Sequence, residues 1–308
     1  MEKKNTLIGN LMLLIAALVW GCAFVAQSEG MKYVEPLTFN GIRMLLGGLS
    51  LLPVIAVKDR LEKRRGTYTP PAGESRRVQW IAGLLCGLAL TVASTLQQFG
   101  LMEAAPGKAG FLTALYIVLV PLCRFLFGNK ISPTVWGGVA LAVGGIYFLC
   151  VTADGSAFGR GEVLVLLCAV FFACHILLVD AFSPRVDGVR LSCMQFFVTG
   201  IICTAAAFLF ETPNLEGLLA AKVEILYAGI GSSGIAYTLQ ILGQQRTKPT
   251  VASLLMSFES VFAVLAAIVL AGDVPSGREI LGCVLMFTAV ILAQMEWKGI
   301  GKGKRKSA

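Results

Sequence analysis

Residues 9–48 read GNLMLLIAALVWGCAFVAQSEGMKYVEPLTFNGIRMLLGG, and residues 161–200 read GEVLVLLCAVFFACHILLVDAFSPRVDGVRLSCMQFFVTG. The second stretch lies over the first at a constant offset of 152, without a gap. The positions that coincide include Gly9 with Gly161, Cys22 with Cys174, Glu35 with Asp187, Arg43 with Gln195 and Gly48 with Gly200. Two related, strongly apolar halves in one chain are typical of membrane proteins built from internal repeats, transporters among them.

The end of each half repeats as well, at an offset of 144. The matched pairs are Leu126 with Leu270, Gly128 with Gly272, Gly138 with Gly282 and Leu141 with Leu285. The sequence therefore predicts two repeats, residues 1–152 and residues 153–308, and the second ends in a basic tail.

The composition indicates a bilayer as the solvent of this chain. Of its 308 residues 56% are hydrophobic and 14% are charged, whereas soluble proteins average about 25% charged residues. The formal net charge of +8 could suggest nucleic acid, but Lys and Arg cluster between apolar runs, where they orient membrane helices. None of the nine cysteines forms a CxxC pair, and His175 has no cluster of ligands around it in the sequence. We expect no nucleic-acid partner, no metal and no cofactor.

Ten segments are long and apolar enough to cross the hydrocarbon core, where a helix satisfies its own backbone polar groups. An all-α polytopic membrane protein is therefore the expected fold class. Pro36, Pro133 and Pro249 stand near predicted helix starts, and a polar connector is expected over Lys58–Arg77. The predicted spans are residues 7–27, 36–57, 78–101, 105–127, 133–151, 161–182, 191–210, 223–242, 249–270 and 278–296.

The positive charges fix the expected orientation. With the N-terminus in the cytoplasm and alternating spans, 19 of the 26 Lys and Arg residues fall inside and five fall outside. The chain is thus expected in the cytoplasmic membrane with both termini cytoplasmic. Because each half has an odd number of spans, the second enters the membrane from the opposite side, so the repeats are inverted.

Several motifs resemble the ten-helix EamA-like branch of the drug/metabolite transporter superfamily, in an order that covers nearly the whole chain. They are Ala16-Ala17-Leu18-Val19-Trp20-Gly21, Pro36-Leu37-Thr38-Phe39 leading to Arg43, Gly110-Phe111-Leu112-Thr113, Val120-Pro121-Leu122 and Phe258-Glu259-Ser260-Val261-Phe262-Ala263. At Ser260 similar sequences often carry proline. The resemblance implies movement of small metabolites, often export of amino acids, through a central cavity lined mainly by helices 1–4 and 6–9.

Two opposite charges lie inside otherwise neutral spans. Glu259 is almost central in its span, where an ionisable group is costly and faces a cavity or a partner. It could contact a substrate cation, carry a proton or be a hydrogen-bonded packing residue. Arg43 could bind a substrate carboxylate, pair with Glu259 or reach the outer interface.

Polar and aromatic side chains complete the candidate site, since a small-molecule site combines apolar walls with a few directed polar groups. For each of them, plain helix packing is the alternative. Gln97 and Gln98 are adjacent, so at most one points squarely inward. Thr113 and Gln240 are further candidates. The predicted substrate-binding set is Trp20, Asn40, Arg43, Gln98, Tyr116, His175, Gln195, Tyr237 and Glu259.

Two other functions are alternatives to transport. Gly231-Ser232-Ser233-Gly234 matches the GxSG pattern of intramembrane serine proteases, although there the histidine follows the serine, whereas His175 precedes it. There is no GxxxxGK[ST] phosphate loop. A membrane scaffold without transport is the other alternative. Glycines 137, 138, 144 and 145 mark one helix face that could meet another helix or a second copy of the chain, as in a homodimer. The sequence favours a secondary transporter with no catalytic residue, working by alternating access, and leaves proton coupling open.

Overall fold

A computed structural model describes residues 2–67, 74–126, 128, 133–150, 159–182, 185–244, 246–247 and 255–294. These residues form helices and their connections, and no strand occurs among them. The helices are α1 Glu2–Gly30, α2 Pro36–Arg64, α3 Glu74–Gly100, α4 Pro106–Ala114, α5 Tyr116–Leu126, α6 Pro133–Cys150, α7 Arg160–Phe182, α8 Gly188–Phe210, α9 Leu215–Ala220, α10 Lys222–Leu226, α11 Tyr237–Gln244, α12 Phe258–Ala266 and α13 Gly277–Gln294. Two π-helical segments, Tyr227–Ala236 and Ala267–Ala271, follow α10 and α12.

Seven described segments are long and apolar enough to cross a membrane. They are Thr6–Gly30, Pro36–Arg64, Ser75–Gly100, Pro106–Cys123, Pro133–Cys150, Arg160–Phe182 and Gly188–Phe210. The predicted fold class, an all-α polytopic membrane protein, is confirmed. The last three predicted spans fall on helical pieces outside this set of seven, so the count of ten stays a prediction.

Proline marks three helix starts, as its missing N–H allows. Helices α2, α4 and α6 begin at Pro36, Pro106 and Pro133. The predicted helix start near Pro249 lies outside the described residues.

The connector predicted over Lys58–Arg77 is shorter than expected, because α2 continues to Arg64. Lys63 and Arg64 occupy its last turn, where cations interact favourably with the helix dipole. Lys58 lies on the helix and forms an ion pair with Asp187 before α8. Charged residues that the sequence placed in a loop therefore belong to the last turns of α2, and Lys58 among them links α2 to the start of α8.

The glycine face of α6 packs against α13 of the same chain. A Cβ atom added at Gly138 would lie 2.9 Å from the carbonyl oxygen of Ala289, and one at Gly145 would lie 3.0 Å from the backbone nitrogen of Met286. Small residues allow this close approach of two backbones. The sequence left two partners open for this face, another helix or a second copy of the chain. In the structure the face contacts another helix of the same chain.

The remaining helices form two groups, and each group contains helices from both halves of the sequence. Helix α7 packs against α3, α4 and α5, and α3 also packs against α8. In the other group α1 packs against α11, α12 and the segment Tyr227–Ala236, which also contacts α2. The groups meet where α2 packs against α8 and where α4 packs against α12. A cavity lies between them.

Candidate functional site

A cavity of about 630 Å³ lies between the two helix groups, within the usual range for small-molecule sites. Its walls include charged, amide, hydroxyl and aromatic side chains from α1, α2, α3, α5, α7, α8, α11 and α12. Seven of the nine predicted residues line it, namely Trp20, Arg43, Tyr116, His175, Gln195, Tyr237 and Glu259. The other two, Asn40 and Gln98, lie outside the lining and are fully buried.

Two interrupted helices bring Tyr116 and Glu259 to the cavity. Helix α4 ends at Ala114 and α5 starts at Tyr116, so the predicted span 105–127 is broken at Leu115. In the second half a turn at Ser257 precedes α12, whose second residue is Glu259. Broken helices at corresponding positions of two halves are a recognised feature of transporter binding sites.

The helix is interrupted at Ser257 although residue 260 is a serine and not a proline. The backbone N–H of Ser260 reaches only the carbonyl of Ser257, at 3.4 Å, and its hydroxyl donates to the same oxygen at 2.9 Å. The first turn of α12 is therefore already short of the regular hydrogen bond that a proline would remove.

The π-helical segment Tyr227–Ala236 is held by α1. The indole N–H of Trp20 donates to the carbonyl of Ser232 at 3.0 Å, and the Tyr227 hydroxyl donates to the carbonyl of Val19 at 2.9 Å. Trp20 also meets Tyr237 edge to face, with ring centroids 4.9 Å apart. An indole and a phenol thus form one aromatic wall, a surface that can take a cationic group.

Arg43 is oriented by Asn40, one turn earlier on α2. Its Nε donates to Oδ1 of Asn40 at 3.0 Å, and the guanidinium lines the cavity while the residue is 5% exposed. Asn40 in turn donates from Nδ2 to Ser94 Oγ at 3.0 Å and to Cys203 Sγ at 3.4 Å. Asn40 is therefore a neighbour of the cavity and not part of its lining.

Arg43 and Glu259 line one cavity without pairing. In the described part of the chain no ion pair or hydrogen bond joins their side chains. The hypothesis of a bond between them thus finds no support in this state, and both charges face the cavity.

His175 on α7 forms a hydrogen bond with Gln195 on α8. The ring Nε2 donates to Oε1 of Gln195 at 2.8 Å. The Ser233 hydroxyl donates to the carbonyl of Ala228 at 3.0 Å, and among the described hydrogen bonds neither Ser232 nor Ser233 contacts His175. The serine and histidine that suggested a protease are therefore each engaged elsewhere.

Gln97, not Gln98, points into the cavity, because neighbouring residues on a helix differ by about 100° in direction. Gln97 donates to Thr113 at 3.2 Å, whereas both polar atoms of Gln98 are buried without a partner. Thr113 and Gln240 also line the cavity, as predicted among the further candidates.

Six polar residues of the lining belong neither to the predicted site set nor to the further candidates. Ser94 could have been found from its spacing to Gln97, since residues three apart share a helix face. Their sequence signal is otherwise weak, because each is a small or polar residue in an apolar run. They are Gln27, Ser94, Asp180, Ser192, Ser232 and Ser233.

An ion-pair cluster borders the end of the cavity near Gly188. Lys58 and the backbone N–H of Arg190 donate to Asp187, and the Arg190 guanidinium donates to Asp59 at 2.6 and 2.7 Å. Burial by itself raises the pKa of Asp187. The hydrogen bonds and charges of Lys58 and Arg190 outweigh burial, so this pKa lies below its ordinary value of 3.8.

The other end of the α2–α8 contact is fastened in a similar way. Glu211, just after α8, accepts hydrogen bonds of 2.7 Å from the backbone N–H groups of Leu37 and Thr38 and from the Thr38 hydroxyl. Glu35, before α2, accepts from the backbone N–H of Thr212 at 2.9 Å. Helices α2 and α8 are therefore tied at both ends.

The chain is similar to known transporters over most of its length. The EamA-like transporter family matches residues 7–151 and 159–295. An uncharacterized transporter of Archaeoglobus fulgidus is 27% identical, with 96% of this chain and 88% of that protein covered. The uncharacterized inner membrane transporter YedA of Escherichia coli is 24% identical, with 90% and 88% covered. A solved crystal structure with 21% identity shares the fold at a TM-score of 0.65 and covers 92% of this chain and 96% of its own.

Proposed function

The chain belongs to the EamA-like transporter family, a family of multi-pass membrane proteins that move small molecules, and we propose that its substrates are zwitterions such as amino acids. One observation carries the proposal: Arg43 and Glu259 line the same cavity without neutralising each other. The guanidinium suits a carboxylate, and the Glu259 carboxylate beside aromatic rings suits an ammonium group. Apolar walls that include Phe24 and Phe172 suit a large apolar side chain.

The proposed mechanism is alternating access between two inverted repeats. Three features support it: the family matches the chain twice, both halves carry an interrupted helix, and the aligned Gly128 and Gly272 share left-handed backbones, with φ of +86° and +69°. The packing favours motion of the two mixed helix groups over motion of the sequence halves, because each group contains helices from both halves.

The proposed location is the cytoplasmic membrane, with both termini in the cytoplasm. The proposed direction is export. The location follows from the distribution of Lys and Arg, and the direction rests on the family resemblance of the sequence motifs.

Counterflow in proteoliposomes tests the substrate class. Purified protein is assayed with amino acids, nucleobases and lipophilic cations, and then with three probes of one shape: L-phenylalanine, L-phenylalaninamide and 3-phenylpropionate. We expect L-phenylalanine to have the lowest KM of the three, because it alone carries both charged groups. Exchange of lipophilic cations or nucleobases alone would refute a zwitterion site.

The energy source is tested by the pH dependence of flux. Our proposed titrating group is Glu259, and Arg43, His175, Asp180, Tyr116 and Tyr237 are the other ionisable groups that line the cavity. If proton exchange drives transport through Glu259, E259Q loses the pH dependence. An E259Q protein that kept all of it would exclude Glu259 from this role.

A further inference from the structure

We infer that Asn40 is a positioning residue, which fixes the Arg43 guanidinium for the carboxylate of the substrate without touching the substrate. The inference rests on the proposed zwitterion function, in which Arg43 binds a carboxylate. Asn40 is fully buried, lies outside the lining of the cavity and bonds directly to Arg43.

The hydrogen bond from Arg43 uses the inner nitrogen of the guanidinium. Because Nε donates to Asn40 Oδ1, the plane of the guanidinium is fixed, and the two Nη groups keep one orientation relative to the cavity. A planar fork binds a carboxylate through two parallel hydrogen bonds, so its orientation decides the affinity. A freely rotating arginine would have to be ordered each time the substrate binds.

Asn40 can hold Arg43 because other helices hold Asn40. Its Nδ2 donates to Ser94 Oγ on α3 at 3.0 Å and to Cys203 Sγ on α8 at 3.4 Å, and lies 3.5 Å from Thr95 Oγ1. The amide thus uses its oxygen for Arg43 and its nitrogen for two neighbouring helices. The Asn40 side chain therefore links helices α2, α3 and α8 next to the charged group of Arg43.

The alternative is that Asn40 only stabilises helix packing. Hydroxyl groups at the same α3–α8 contact offer a matched control: Thr91 Oγ1 and Thr199 Oγ1 lie 3.2 Å apart, and neither lines the cavity nor bonds to Asn40 or Arg43. Thr91→Val removes this partly buried hydroxyl contact between the same two helices. A purely structural effect of Asn40 would resemble the effect of this control.

The test compares half-maximal concentrations for L-phenylalanine and L-phenylalaninamide in counterflow. Asn40→Ala is expected to raise the L-phenylalanine value about tenfold or more, the range of a lost hydrogen bond to a charged group, and to change the amide value less than twofold. Thr91→Val is expected to leave both values unchanged. In an Arg43→Gln background Asn40→Ala should have no further selective effect, because the group that it positions is gone.

The outcomes separate this inference from the proposed function. If Arg43→Gln leaves the discrimination between the two probes unchanged, the zwitterion function fails. If Arg43→Gln removes the discrimination and Asn40→Ala does not weaken it, or raises both values equally, only the positioning role fails.

Cys203→Ala serves if Asn40→Ala does not fold, because Cys203 lies outside the lining of the cavity. It removes one acceptor of the Asn40 amide, and a rise of about two- to fivefold for L-phenylalanine alone is expected. An equal rise for both probes would refute the positioning role.

Discussion

Two carboxylates illustrate how position decides what a charged side chain does in this molecule. Glu259 faces the cavity, and no hydrogen bond of the described residues reaches its carboxylate. Asp187 stands at the start of α8 and accepts hydrogen bonds from the Lys58 ammonium group and from the backbone N–H of Arg190 in that helix. The first is available to a ligand and the second is used to hold two helices together.

Glu259→Gln should therefore weaken binding of substrates with an amine. We expect KM for L-phenylalanine to rise about tenfold or more and KM for 3-phenylpropionate, which lacks the amine, to change little. Counterflow in proteoliposomes measures both. Glu216→Gln, at an exposed position of α9, is the control and should behave as the wild type. Equal losses for the two probes would mean that Glu259 supports the fold and does not contact the amine.

Asp187→Asn should alter the acid sensitivity of the fold. Because the folded state lowers the pKa of Asp187, its charge contributes stability that is complete above 3.8 and is lost as the pH falls through the lower folded-state pKa. The wild type should therefore unfold at a higher temperature than D187N at pH 6, and the difference should shrink at pH 3. Thermal unfolding in detergent measures this. A difference independent of pH contradicts the argument, and E216Q should follow the wild type throughout.

Residue types were easier to predict than directions. Arg43 and Glu259 were evident in the sequence, because a charged residue stands out in an otherwise apolar segment. Whether Gln97 or Gln98 enters the cavity depends on the rotation of α3 about its axis, which its packing against other helices determines. That Asn40 serves Arg43 depends on contacts from α3 and α8, which no local pattern contains.

At the scale of elements, the interruption before α12 explains why Ser260 can stand where similar sequences often carry proline. Ser260→Pro should change the thermal unfolding midpoint little, because the N–H that it removes makes only a 3.4 Å contact. Leu265→Pro, at a half-exposed interior position of the same helix, should cost about 3 kcal/mol or more. Comparable losses in both variants would show that the turn at Ser257 depends on the Ser260 hydrogen bonds.

The contact between α6 and α13 offers a second matched pair. Gly145→Ala would place a Cβ atom 2.6 Å from Met286 Cγ and 3.1 Å from the carbonyl oxygen of Gly282, so we expect a loss of about 1–3 kcal/mol. Gly144→Ala would meet only Leu285 Cδ1 at 3.9 Å and should be neutral or slightly stabilising. Unfolding midpoints of the two variants measure the difference. A stable G145A protein would mean that the helices can separate at little cost.

Apolar runs predicted where helices exist but not where they break. Pro36 and Pro133 indicate helix starts in the sequence, because the missing backbone N–H of proline is tolerated in the first turn of a helix. The turn at Leu115 and the π-helical turns after Leu226 have no such marker, because leucine, alanine and glycine occur equally in regular membrane helices. Those irregularities arise from packing against other helices, which hydropathy does not record.

At the scale of the whole molecule, the proposed inverted arrangement requires α7 to begin outside the cell and to end in the cytoplasm. Arg160 and Arg185 stand at those ends, and both are exposed. A membrane-impermeant thiol reagent should label Arg160→Cys in intact cells and Arg185→Cys only after the membrane is opened. The parent protein, with its nine cysteines, gives the background. Labelling of both variants in intact cells would contradict the orientation on which alternating access depends.

The π-helical segment has a consequence for comparing chains of different length. Each of its turns holds about one residue more than an α-helical turn, and Trp20 uses the carbonyl of Ser232 within it. In a relative that is one residue shorter between positions 227 and 236, the helix can close regularly and recapture that carbonyl for its own ladder. We expect such a deletion to be accompanied by the loss of the tryptophan. A single-residue gap in an alignment of this segment would then indicate that the aromatic wall formed by Trp20 and Tyr237 has changed.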